Sequence, residues 1–170
     1  MIILDGKKTS NEIKEEIKTT VNSMKACGER PPHLAAVLVG NDGASLTYVG
    51  SKVRSCEYVG FDSTLIRLES NISEEELLRH ISDLNQDDNL DGYIVQLPLP
   101  NHINEEKILL AIDPKKDVDG FHPANFGKMT KGMDIDDNAF LGSEVIIGSM
   151  TPKERQQPQV NNHRRKKRTA

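Results

Sequence analysis

Short apolar runs separated by helical patterns constrain this chain more than any other feature. Leu34-Ala35-Ala36-Val37-Leu38-Val39 is continuously apolar rather than alternating, the pattern of a strand buried on both faces of a parallel sheet. Gly92-Tyr93-Ile94-Val95 repeats it. Gln96-Leu97-Pro98-Leu99-Pro100 ends that run, because proline cannot donate to a sheet ladder and restricts the residue before it. Ser63 to Leu68 is a further strand candidate.

Helical periodicity fills the intervals. Thr9-Ser10-Asn11-Glu12 has the form of a capping box, Ile13, Ile17, Val21 and Met24 recur at helical spacing, and Gly28 is placed as a left-handed cap. Residues 10–27 are therefore predicted as an amphipathic helix, which Pro31 and Pro32 keep from continuing. A second helix carries Val49, Val53 and Cys56 on one stripe and stops at Gly60. A capping box at Ser73-Glu74-Glu75-Glu76 opens a third with Leu77, Ile81 and Leu84, and a short one spans Asn104 to Ile112.

Strand, helix, strand, helix is the βαβ rhythm. The fold class predicted is α/β: a three-layer αβα domain with a mostly parallel sheet over residues 1 to about 125, followed by an irregular C-terminal segment. Ligands of such sheets bind beyond the carboxyl ends of the strands, which puts Val39-Gly40-Asn41-Asp42 and Val95-Gln96-Leu97-Pro98 at the edge of the site. From Phe126 the signals weaken, with Gly127, Gly132, Gly142 and Gly148 breaking the chain, and residues 126–150 read as a shortened linker.

The 170 residues are enough for one ordinary domain. Charge divides them: residues 1–150 carry 15 basic and 25 acidic side chains, and residues 151–170 carry 7 and 1. That tail is too polar and too like-charged to bury a core, so disorder is expected there. A nucleic-acid contact through His163 to Lys167 is a lesser alternative, because basic tails are commonly just solvated. Cys27 and Cys56 share no paired spacing, which suggests neither a disulfide framework nor a zinc site. No apolar run approaches the roughly 18 residues that span a bilayer, and the N-terminus does not read as a signal peptide, so a cytoplasmic protein without a membrane partner is expected.

Chemistry has few places to reside. On one helix face Ser45, Tyr48 and Lys52 flank the buried stripe. A lysine desolvated there has a lowered pKa and can act as acid and base near neutrality, while the tyrosine offers a ring for stacking. By itself Y-x-x-x-K equally describes a surface lysine lying over a half-buried tyrosine. Lys116-Asp117-Val118-Asp119-Gly120 offers two carboxylates that could grip a cation or an amidine-like edge, or form a solvated Asx turn. Gln96, the one polar side chain between Ile94 and Pro100, could orient a lysine or a ligand amide, or simply satisfy a strand end. His33, His80, His102 and His122 are scattered singly and read as structural. The chain has no G-x-G-x-x-G, P-loop, H-E-x-x-H or G-x-S-x-G.

In combination, Val39-Gly40-Asn41-Asp42-Gly43-Ala44-Ser45 with Tyr48-Val49 and Lys52, Gly92 through Pro100, and Lys116 through Pro123 with Asn125 and Gly127 closely resemble the FolD family. These are the bifunctional methylenetetrahydrofolate dehydrogenase/methenyltetrahydrofolate cyclohydrolases, and the resemblance covers roughly residues 1–130. It implies tetrahydrofolate derivatives as ligands and a folate-binding catalytic domain facing an NADP-binding domain. Lys52 is then the acid/base, Tyr48 the ring that stacks on folate, Gln96 the lysine's hydrogen-bond partner and Asp119 the grip on the pterin. Ser45, Leu97, Pro98 and Gly120 complete the substrate-binding set. The resemblance further implies a homodimer in intact members and no metal.

Departures begin after Gly127, where the sequence leads us to expect neither the family's linking helix nor its Gly-rich dinucleotide domain, and Thr151-Pro152 is only a faint echo of the family. A shortened member is expected, with no cofactor-binding residues of its own. It should lack dehydrogenase activity and keep at most weak cyclohydrolase activity or folate binding, the alternative being an inactive folate- or partner-binding domain.

Overall fold

The computed structural model describes residues 5–130. The chain runs α1 (Gly6–Ala26), β1 (His33–Val39), α2 (Gly43–Val59), β2 (Asp62–Leu68), α3 (Glu74–Gln86), β3 (Gly92–Val95), α4 (Glu105–Ala111) and α5 (Pro123–Thr130). The expectations for the apolar opening at Ile2–Leu4 and for everything beyond Thr130 lie outside the described residues.

The ends of the helices follow from capping chemistry. Ser73 and Glu76 form the reciprocal box at the start of α3, as their spacing predicts. At α1 the cap is Asp5 rather than Thr9: the Asp5 carboxylate accepts from Lys8 N at 3.0 Å, which satisfies an orphan N–H one turn earlier. The Thr9 hydroxyl instead donates to Asp5 O inside the helix. At the other end Gly28, at φ 83, lets Gly28 N reach Lys25 O and Glu29 N reach Met24 O, the paired bonds that close a helix on a left-handed residue. The expected break at Gly127 is absent. α5 runs through it, with His122 O accepting from Asn125 N and Phe126 N, and His122 Nδ1 accepting from Ala124 N.

The sheet has the order β2-β1-β3, and both pairings are parallel. Parallel neighbours require crossovers, and crossovers are right-handed. From β1 the chain moves one way to β2 through α2; from β2 it moves back past β1 to β3 through α3. Opposite directions with one handedness put α2 and α3 on opposite faces, which yields the predicted three layers. The direction reverses between β1 and β3, so the crevice at their carboxyl ends is where a ligand site belongs.

Alternate residues of β1 supply the two cores. Ala35, Val37 and Val39, with Tyr93 and Val95, meet Leu77 and Ile81 of α3 and Ile108 of α4. On the other face Ala36 and Ile94 meet Val49 of α2 and Val118. α1 packs beside α2 through Val21, Cys56, Val59 and Phe61. Each fully enclosed side chain, such as Leu77 or Ile108, contributes about 1.5–3 kcal/mol through burial. The Tyr93 hydroxyl, inside the first core, donates to Asn85 Oδ1 at 2.7 Å, and Asn85 also accepts from Asp113 N and donates to Ala111 O. One amide thereby joins α3, β3 and the end of α4.

Candidate active site

Two segments converge at the carboxyl end of the sheet. The first is the start of α2, where the Asp42 carboxylate caps the helix by accepting from Ser45 N at 2.8 Å. Val49 and Cys56 face the core, and this fixes the rotation of the helix so that Ser45, Tyr48 and Lys52 share the adjoining face. The second is the loop after α4. A parallel bridge pairs Tyr93 with Asp117, so the chain leaving Asp117 heads toward the same end of the sheet as β3. It can lie that close because residue 92 is glycine: a Cβ there would stand 2.5 Å from Val118 Cγ2.

Lys52 and Asp119 meet where the segments meet. Lys52 Nζ donates to Asp119 Oδ1 at 3.4 Å, and the two side chains are only 15% and 20% exposed. The ammonium also stands 4.7 Å from the centroid of the Tyr48 ring, which is itself exposed. Burial pulls the Lys52 pKa down against the attraction of Asp119, and burial pushes Asp119 up against the attraction of Lys52. Both groups are thus drawn toward their neutral forms, which eases the taking and returning of a proton at Lys52.

Leu97 joins the remaining residues. Its carbonyl accepts from Gln96 Nε2 at 2.7 Å and from the Ser45 hydroxyl at 3.5 Å. The Leu97–Pro98 peptide is cis, and Pro98 is exposed at the rim. The Gln96 amide nitrogen therefore turns back on its own strand end, and the hydrogen bond of Lys52 goes to Asp119. Gly120, at φ 70, follows Asp119 directly.

The two aspartates of the loop differ. Asp119 faces Lys52, whereas Asp117 is buried and accepts from Gly120 N, His122 N and Asn125 Nδ2. It is an anchor rather than the solvated acidic residue of an Asx turn. Asn125, quoted within the motif but given no role by sequence reasoning, is 2% exposed and holds Pro114 O as well. An uncharged polar side chain two positions into a helix N-terminus was its only signal. Three of the histidines have local partners: His33 meets Thr64 Oγ1, His102 meets Ile72 O and His122 accepts from Ala124 N. Burial pushes the Cys56 thiol up to about 11, which keeps it protonated and unreactive.

Among the described residues no three His, Cys, Asp or Glu side chains gather as a metal site, and no helix is long and apolar enough to cross a membrane. They do not fit a dinucleotide either. The one glycine-flanked strand–turn–helix that could cradle a pyrophosphate, β1 to α2, already holds the Asp42 carboxylate on its helix N-terminus, where a second anion is repelled.

Residues 4–119 match the family model described as tetrahydrofolate dehydrogenase/cyclohydrolase, catalytic domain. Residues 117–170 match a second model, described as signal peptide binding domain. The bifunctional protein FolD of Flavobacterium johnsoniae is 70% identical over 134 residues, which are 79% of this chain and 45% of that protein. That of Porphyromonas gingivalis is 60% identical over 131 residues, 77% of this chain and 44% of the relative. Among solved structures, the bifunctional FolD methylenetetrahydrofolate dehydrogenase/cyclohydrolase of Campylobacter jejuni superposes with a TM-score of 0.75 at 47% identity, covering 79% of this chain and 47% of that one. The enzyme of Trypanosoma brucei, complexed with NADP cofactor and inhibitor, gives 0.71 at 31% identity, covering 75% and 43%. The chain thus spans less than half the length of these relatives.

Proposed function

The chain belongs to the tetrahydrofolate dehydrogenase/cyclohydrolase family through its catalytic domain, and from that premise we propose that Lys52 and Asp119 form a folate site competent for the cyclohydrolase step. The observation that carries the reading is the half-enclosed Lys52–Asp119 pair beside an exposed tyrosine ring at the crevice between β1 and β3. Asp119 presents a carboxylate to the donor pair of the pterin amino-pyrimidinone edge. Tyr48 stacks on the ring system, and Ser45, Gln96, Leu97, Pro98 and Gly120 line the strand ends that receive it.

In the hydrolysis, water adds to the methenyl carbon between two folate nitrogens. Neutral Lys52 takes the proton released as the C–O bond forms. The resulting ammonium returns it to one nitrogen as the C–N bond to that nitrogen breaks, and the hydroxyl proton leaves to solvent as the formyl group forms on the other nitrogen. The burial that lowers the Lys52 pKa eases both transfers relative to a fully solvated lysine. Gln96, whose amide here donates to Leu97 O, is assigned the role of a neutral group that orients the lysine once a ligand engages Asp119. NADP comes to this reading only through the family: hydride transfer needs nicotinamide held against the folate, and no described residue is assigned to it. Weak cyclohydrolase turnover in the cytoplasm is the activity proposed for these 170 residues, and a homodimer for members of the family.

Loss of absorbance of methenyltetrahydrofolate, above its spontaneous hydrolysis, tests the proposal with the unmodified chain beside Lys52→Met. Enzymatic loss that Lys52→Met abolishes supports the reading. Equal rates in both chains would place the activity elsewhere.

The match of residues 117–170 to a signal peptide binding domain carries a second reading, in which the C-terminal part takes an apolar export-signal peptide. Binding of a fluorescent synthetic signal peptide to the 170-residue chain, lost when the chain is ended at Thr130, would support it. Equal binding by the shortened chain would refute it.

A further inference from the structure

We propose that Asp117 and Asn125 are positioning residues of this site, a buried clamp that holds the loop carrying Asp119 against Lys52. The proposal deepens the reading of Lys52 and Asp119 as the folate site and rests on it. The two side chains are 3% and 2% exposed and share a bond, with Asn125 Nδ2 donating to Asp117 Oδ2 at 3.1 Å. From there the clamp reaches in both directions along the chain. Asn125 Nδ2 also donates to Pro114 O at 2.7 Å, before the loop. Asp117 accepts from Gly120 N at 3.1 Å and His122 N at 2.8 Å, after it.

The segment leading into the clamp is fixed to the domain as well. Tyr93 N donates to Lys116 O at 2.9 Å, and Lys116 Nζ donates to Leu84 O and Asp87 O at the end of α3. Only Val118 and Asp119 lie between Asp117 and the Gly120 amide that it holds. Val118 is buried in the core with Val49 and Ile94, beneath α2. Asp119 is then the one side chain of this tight turn left to face Lys52, and its position follows from bonds made by its neighbours. Released from the clamp, the loop gains freedom on the scale of an ångström, enough to degrade recognition of a ligand edge.

Asn125→Ala is the decisive variant. It removes the shared bond and keeps the charge of Asp117, which itself pushes Asp119 up; Asp117→Asn would lower Asp119 even in an unmoved loop. The informative group is therefore Lys52, whose perturbation comes first from burial and next from Asp119. The 170-residue chain, labelled with 13C-lysine, is titrated by NMR, and its affinity for 5-formyltetrahydrofolate is measured by calorimetry. In folded Asn125→Ala the Lys52 titration is expected to move up toward the ordinary lysine value, and affinity to fall by about tenfold or more. Lys115→Ala, exposed in the same loop, should leave both unchanged. An unmoved Lys52 titration in folded Asn125→Ala overturns the proposal. If Asn125→Ala does not fold, Asp117→Asn is read by Lys52 in the same way. Should the unmodified chain bind no 5-formyltetrahydrofolate, the folate reading fails, while the Lys52 titration still decides whether the clamp positions the pair.

Discussion

Replacing Lys52 by Met and Asp119 by Leu together is expected to stabilise the chain while ending its chemistry. The pair is separated by 3.4 Å, longer than a strong charge-assisted hydrogen bond. At an effective dielectric constant of about 20 its attraction is about 5 kcal/mol. Two ions 15% and 20% exposed each lose several kcal/mol of hydration, which matches the finding that burial outweighs attraction in both pKa shifts. The double variant removes attraction and desolvation together. A gain of about 1–2 kcal/mol follows, at the lower end of the range for apolar replacement of buried pairs because some solvent still reaches the site.

Lys52→Met alone leaves Asp119 buried without its partner and should cost about 1–3 kcal/mol at neutral pH. The sign of the pH dependence follows from Asp119, whose folded pKa lies above 3.8. Between 3.8 and that raised value the folded chain binds more protons than the unfolded one, so stability falls as pH rises through the window. Losing Lys52 widens the window. The destabilisation should accordingly be small near pH 4 and complete near pH 7.5. Urea unfolding followed by circular dichroism on the parent, Lys52→Met and the double variant at both pH values measures this. A double variant less stable than the parent by more than about 1 kcal/mol at pH 7.5 would show that the pair is held for stability and would refute the reasoning.

Gly92→Ala places a Cβ 2.5 Å from Val118 Cγ2 and 3.3 Å from Lys116 O, so thermal unfolding should show a loss of about 1–3 kcal/mol together with a disturbed Lys52 titration. Ile108→Ala empties a fully buried position between α4 and the sheet and should cost about 2–5 kcal/mol by urea titration. Ser73→Ala removes one half of the reciprocal cap of α3, a loss of about 1 kcal/mol in the same experiment. Burial pushes the Asp91 carboxylate up, but the bonds from Arg30 and His33 N with the Arg30 charge together outweigh it and hold it below its usual value. Its stabilisation is present above pH 3.8 and disappears as pH falls through the lowered folded value. Asp91→Asn should therefore flatten the acid limb of the stability profile, by no more than about 1 kcal/mol for so exposed an ion pair.

Sheet and core were legible because their signals are local. A parallel strand closed on both faces, such as Leu34–Val39, has no alternation to conceal, and α2 displayed its buried stripe by spacing alone. The ends of elements were less legible. The Thr9 pattern fits a capping box, but Asp5, with a charged acceptor one turn earlier, captures the helix first. Gly127 reads as a breaker, yet the clamp at Asn125 and the cap at His122 hold α5 across it. In the candidate site, spacing put Ser45, Tyr48 and Lys52 on one face and the family resemblance singled out Asp119, whereas the burial of Asp117 could not be read from the residues themselves. Two carboxylates two residues apart are chemically identical in a string. The bridge to Tyr93 and the missing side chain at Gly92 decide which of them is buried.

Calorimetric titration of the 170-residue chain with 5-formyltetrahydrofolate, beside Asp119→Ala, tests the central claim most directly. The account predicts saturable binding to the parent that Asp119→Ala weakens by about tenfold or more, the loss of a charged hydrogen-bond partner. Equal binding by both chains, or none by a folded parent, would contradict it.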